Sequence, residues 1–143
     1  EKMRGHKRQV LMFGEKAGLR SIVNNSLDYD CGTHAGFVFD TEKEARAFAK
    51  KLREQKVGAF LPIDTGRHVY TRWDPIMRYQ GAHHPALDPF KIPANEAARV
   101  EYTEDMCQAS LDILNRSVLV PMHPDNTRSR IRKMAEAVSA AAA

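Results

Sequence analysis

"HAGFVFDTEKEARAFAKKLREQKVGAFLPI", residues 34–63, carries the strongest ordering signals in the chain. Residues 34–40 are a short apolar run stopped by Asp40, which reads as a strand. Thr41 with Glu44 forms a capping box just ahead of an expected helix at 42–56. Ala45, Phe48, Ala49 and Leu52 recur at helical spacing, with Lys and Glu on the opposite face. Gly58 is expected to end that helix, and Ala59–Ile63 to form a second strand. This strand–helix–strand order sets the fold class.

Before this stretch, Val10, Phe13 and Ala17 mark an amphipathic helix at 4–17 ending near Gly18. Residues 24–32, "NNSLDYDCG", have turn formers and no period, so they read as loop. After it, Met106, Ala109, Ile113 and Leu114 suggest a helix at 104–115, followed by a short strand ending at Pro121. Ile131, Met134, Ala135 and Val138 give a last helix at 127–141, whose alanine-rich end has little to pack and is expected to fray. The sum is an α+β domain, a three- to four-stranded sheet packed by helices. Residues 1–143 read as one small domain.

The segment between the halves breaks every period. Asp74–Pro75 can start a short helix ending near Gly81. Pro85, Pro89 and Pro93 then exclude a long helix or a central strand. A loop region as long as 65–102 inside a compact domain points to function. Arg67, His68, Tyr70, Arg72 and Trp73 cluster in "GRHVYTRW" (66–73) and could clamp an anionic, hydroxylated ligand. The plainer alternative makes Val69 and Trp73 core and both arginines surface.

Composition narrows the chemistry. Of 143 residues, 43% are hydrophobic and 28% charged, which fits a globular domain rather than a disordered chain. A formal charge of +4, with 22 basic against 18 acidic residues, is too mild and too interspersed to indicate nucleic acid. No apolar run approaches the ~20 residues that cross a bilayer, so the expected location is cytoplasmic, with no membrane partner. Cys31 and Cys107 make neither a disulfide framework nor a thiolate metal site. Cys31 and His34 lack an orienting third group for thiol catalysis, and Cys107 is expected to be buried in its helix. His83, His84 and His123 lack the convergence that zinc requires, so no metal is expected. No glycine-rich phosphate loop is present.

One layout does resemble a known family. "GFVF" (36–39), the helix "EKEARAFAKKLREQ" (42–55), "VGAF" (57–60) and "SVLVPMHPDNT" (117–127) resemble the C-terminal small domain of the DegT/DnrJ/EryC1/StrS sugar aminotransferases, fold type I pyridoxal-phosphate enzymes. The signature falls on Leu119, Val120, Pro121, Met122, His123, Pro124, Asp125, Asn126 and Thr127. "GRHVYTRWDPI" (66–76) further resembles branches acting on keto-sugar acids, including the 8-amino-3,8-dideoxy-octulosonate transaminase type.

The resemblance spans nearly the whole chain and implies a piece of a longer enzyme. Residues 1–18 would link to a preceding large domain that holds pyridoxal 5'-phosphate and the Schiff-base lysine. This segment alone would be inactive and would carry no catalytic residue. His68, Tyr70 and Trp73 would face substrate, Arg67 or Arg72 would take a carboxylate, and His34 would be a further contact. His123 would shape the strand-to-helix turn. The implied substrates are a keto- or aldehydo-sugar and an amino donor, glutamate by family expectation, in sugar or lipopolysaccharide biosynthesis. The implied assembly is a homodimer. The rival reading from the residues is an independent α+β module binding a small anion through the same loop. A third is a purely structural segment.

Overall fold

The first expected strand and the last one pair with each other. In the computed structural model, which describes every residue except Arg67, His68 and Ala82, β2 (His34–Val38) lies between β1 (Arg20–Ser21) and β3 (Ser117–Pro121) in an antiparallel sheet. The register sets Ala35 against Val120 and Phe37 against Val118, and all four are fully buried. Directly opposed residues share a face, so these four form the sheet's inner surface. Gly36 and Leu119 lie on the other face, where a Cβ on Gly36 would meet Ile22 Cδ1 at 2.6 Å.

Three helices cover the inner face: α1 (Lys2–Lys16), α2 (Glu42–Glu54) and α5 (Arg128–Ala142). Val10 and Leu11 of α1, Phe48 and Leu52 of α2, and Ile131 and Val138 of α5 are buried. Phe37 sits edge-on to Phe48, with ring centroids 5.9 Å apart. Its ring also fills the space beside Gly14, where a Cβ would lie 2.4 Å from it. Glycine at this point is therefore a packing requirement, and α1 can approach the sheet only because of it.

Helix ends follow the local chemistry. The capping box is complete: Thr41 Oγ1 accepts from the Glu44 amide, and Glu44 Oε2 accepts from the Thr41 amide. Thr127 Oγ1 likewise accepts from the Arg130 amide at the start of α5. Gly18, at φ +86°, ends α1, and the Leu19 amide donates back to the Gly14 carbonyl, the double-bonded stop that a left-handed residue permits.

Several details depart from the sequence expectation. Helix α2 stops through Lys56, at φ 60°, rather than at Gly58; the Val57 amide reaches back to the Leu52 carbonyl. The expected strand at 59–63 reduces to one bridge, Phe60 with Leu119, because Pro62 opens a 3₁₀ turn (Pro62–Asp64). The α5 end does not fray. Ala137 and Ala141 are buried, and Lys51 Nζ donates to the Ala141 carbonyl at 3.3 Å.

The chain divides into two units, 1–62 with 113–143, and 63–112. The second unit is built from turns: 3₁₀ segments at Tyr70–Arg72, Pro85–Leu87 and Pro93–Ala98, and the one-turn helix α3 (Asp74–Met77). The helix expected at 104–115 begins only at Gln108 (α4, Gln108–Asn115) and buries none of its side chains. Cys107 precedes it and is exposed, not buried; the apolar stripe that was expected to cover it finds no core.

Candidate functional site

The residues 63–112 hold most of the side chains singled out from sequence. Arg67 and His68 lie outside the described residues. Tyr70 is committed to the backbone: its hydroxyl donates to the Glu104 carbonyl at 2.7 Å and accepts from the Cys107 amide at 3.2 Å. It thereby fixes the approach to α4, a positioning task. Arg72 is exposed at the end of its turn, its Cδ 3.8 Å from where a Cβ on Gly66 would lie. Trp73 is 45% exposed, unusual for the chain's one tryptophan, which rules out the alternative of Trp73 as core; Val69 beside it is buried.

His34 belongs to the other unit. Its Nδ1 is 3.1 Å from Thr33 Oγ1, and its ring stands edge-on to Phe60. His84 Nδ1 accepts from the Ala86 amide and caps the Pro85 turn. His123 Nδ1 accepts from the Asp125 amide between β3 and α5. Among the described residues, no three His, Cys, Asp or Glu side chains group to hold a metal ion.

What the second unit does build is a cleft of about 430 Å³ over residues 89–102, in the later half of the expected loop region. Phe90, Lys91, Ile92, Arg99, Val100 and Tyr102 are among its walls. Tyr79 organises it from behind. Its hydroxyl donates to the Val100 carbonyl and accepts from the Tyr102 amide at 3.0 Å. Its ring stands edge-on to Phe90, and the Arg99 guanidinium lies 4.6 Å from its centroid. Such a cation held over an aromatic face keeps its charge and gains orientation.

Asp88 fixes the floor of the turn. It is buried at 2% exposure, accepts from the Phe90 amide and pairs with Lys91 at 3.2 Å. Burial is the largest influence on its carboxyl and opposes ionisation. The amides of Phe90 and Gly81 and the Lys91 ammonium together outweigh it, so Asp88 titrates below the ordinary carboxylate range. Gly81 must be glycine here, since a Cβ would fall 2.1 Å from Asp88 Oδ1.

Chemically, this is a recess with aromatic walls, lined by Lys91, Arg99 and Glu96, with Lys91 already paired to Asp88, so Arg99 is the cation best placed to receive a small anion with hydroxyl groups. Sequence reasoning placed its candidates at 67–73 and at His34, and missed Arg99, Lys91 and Tyr102. The usable signal was aromatic: Tyr79, Phe90 and Tyr102 fall in a proline-rich stretch with no periodic core to serve.

No protein-family model matches the chain, and no curated protein matches its sequence.

Proposed function

We propose that this chain is the substrate-completing C-terminal domain of a pyridoxal-phosphate-dependent sugar aminotransferase, acting with glutamate as donor on a keto- or aldehydo-sugar, of which an octulosonate-type sugar acid is the best fit. The observation that supports it is the segment 117–127. Pro121 ends β3, His123 takes the Asp125 amide, and Thr127 caps α5. Three residues of the resembling signature thus have a task at one strand-to-helix turn.

The chain's own residues do not fit the cofactor. The one buried lysine among the described residues, Lys7 at 6% exposure, is bound to Asp30 and Asn24, both at 2.8 Å. Its hydrogen bond to Asp30, with the Gly32 amide behind it, holds that carboxyl below its usual range. A lysine so engaged is an ion-pair partner, not a free amine nucleophile. On this reading the cofactor, its lysine and the chemical step belong to a preceding large domain, with activity in a cytoplasmic homodimer. The present residues bind and orient: Arg72 offers charge to a sugar carboxylate, and exposed Trp73 offers a stacking face to the sugar ring.

The test uses the protein as its own cells make it. A visible absorbance bleached by borohydride, with glutamate-dependent amination of a sugar acid, is the expected result. Arg72→Ala should raise KM for the sugar acid while leaving the half-reaction with glutamate unchanged. A purified protein with no such chromophore ends the proposal.

A second reading has its own support in the cleft at 89–102. There the chain is a non-enzymatic module, and Arg99 receives a small anionic ligand. Calorimetry of the 143-residue chain with a sugar acid separates the two. Binding that Arg99→Ala abolishes, in a protein without a chromophore, favours the module.

A further inference from the structure

Helix α1 places Lys2, Gly5, His6 and Gln9 on one stripe, since residues three and four apart are neighbours. Arg128 and Arg132 form the matching stripe on the first turns of α5. The two helices pack together, and these six residues line a cleft of about 450 Å³. Gly5 leaves its floor open, for a Cβ there would meet nothing within 4 Å. No acidic residue lines it. The nearest compensation is partial: Glu136 takes Arg132 Nε at 2.8 Å, and Lys2 Nζ donates to the Pro124 carbonyl at 2.7 Å.

A second feature marks the same place. His6 is 8% exposed, and its Nδ1 is the one buried side-chain nitrogen or oxygen among the described residues without a hydrogen-bond partner. A buried ring nitrogen without a partner is a cost that native structures avoid unless something absent satisfies it. The surroundings indicate the sign of that partner. Burial first, and then Lys2 and Arg128, hold the imidazole below its ordinary titration range, so the site already carries surplus positive charge. The start of α5 adds the positive end of a 15-residue helix.

We infer that the cleft between the start of α1 and the start of α5 is a binding site for a phosphate group, either inorganic phosphate or a small phosphate monoester, held by Lys2, His6, Arg128 and Arg132. A tetrahedral dianion has acceptors for two guanidinium groups, one ammonium and one ring nitrogen together, and arginine's fork suits it. This site lies wholly within the unit 1–62 with 113–143, and it does not depend on the aminotransferase reading.

The experiment titrates the full chain with inorganic phosphate and separately with glycerol 3-phosphate, at constant ionic strength set by chloride. Binding is followed by calorimetry and by the His6 imidazole resonances. Saturable one-to-one binding that shifts His6 is the expected result. Arg128→Gln, at an exposed position, should weaken it roughly tenfold by removing a charge-assisted hydrogen bond, with an unchanged circular dichroism spectrum. Arg132→Gln repeats the test should the first variant not fold. Binding of both probes means the phosphate group suffices, and binding of the monoester alone assigns an organic phosphate; either supports the site. Weak, unsaturable heats, an unmoved His6, or equal affinity in a folded arginine variant overturns it.

Discussion

The two units solve the same problem in different ways. The unit of 1–62 with 113–143 buries apolar side chains from three helices and the inner face of the sheet, with Phe37, Leu52, Ile131 and Val138 fully enclosed. Among the described residues of 63–112, only Val69 and Asp88 are buried to that degree. That second unit is held by polar devices instead: Tyr70 on two backbone groups, Tyr79 on two more, and Asp88 on the Phe90 and Gly81 amides. Apolar burial is non-directional and tolerates exchange between similar residues, whereas a hydrogen bond to a backbone amide specifies one atom. A surface organised by directional bonds can keep Trp73, Arg72, Arg78 and Arg99 exposed without collapsing onto them.

The sharpest way to break this contrast is Phe37→Ala. It should cost about 3–5 kcal/mol, read as a lower urea midpoint, because neither Gly14 nor Phe48 can fill the space. A loss below about 1 kcal/mol would mean the sheet–helix interface is not where stability resides.

Asp88→Asn probes the other unit. Hydrogen exchange at 81–91 should accelerate while α2 and β3 keep their protection. The pH dependence has a definite sign. A carboxyl whose folded value is depressed stabilises fully above its ordinary value of 3.8, and that contribution is lost as pH falls below this toward the folded value. The 81–91 turn should therefore loosen in acid before the sheet does, and the Asn variant should lack this pH dependence. Simultaneous loss of both regions in the wild type would show that the two units share one cooperative transition.

Thr41→Ala removes the hydroxyl half of the capping box, leaving the backbone amide of residue 41 to donate to Glu44 Oε2, and should cost about 1 kcal/mol by chemical denaturation. The smallest effect runs the other way. Lys56→Gly relieves a left-handed non-glycine residue and should add about 0.5–1 kcal/mol. The bond from Arg130 to the Lys56 carbonyl survives, since it uses the backbone. A destabilised Gly variant would mean the Lys56 side chain has a task its position does not reveal.

This contrast also explains what could be read in the sequence. The stripe Ala45, Phe48, Ala49, Leu52 and the Thr41–Glu44 cap were legible because period and cap are local properties, and the α+β class followed from them. β1 was not: Arg20 and Ser21 have no apolar alternation, and only the edge of β2 makes them a strand. The stop at Lys56 was hidden because glycine two residues later is the better candidate on conformational grounds. The α5 end was misread because Ala141 packs against partners distant in sequence. The cleft at 89–102 depends on Tyr79 reaching Val100, Tyr102 and the Arg99 guanidinium across twenty residues or more, and no short-range rule anticipates that.

Gly14 against Phe37 and Val138 has a further consequence, in the order of events as the chain is made. The pocket for that ring is closed by α1 from one end of this sequence and by α5 from the other. A ribosome that has produced residues 1–62 has made two of the covering helices but neither β3 nor α5. Phe37 and the inner face of β2 must wait, covered by α1 and α2 alone, while residues 63–112 emerge. Closure then depends on contacts of long sequence separation, which form slowly. The interval is one in which a nascent chain presents apolar surface to chaperones or to its neighbours. Shortening the 63–112 segment would shorten that wait, although the loop-closure entropy itself grows only slowly with length.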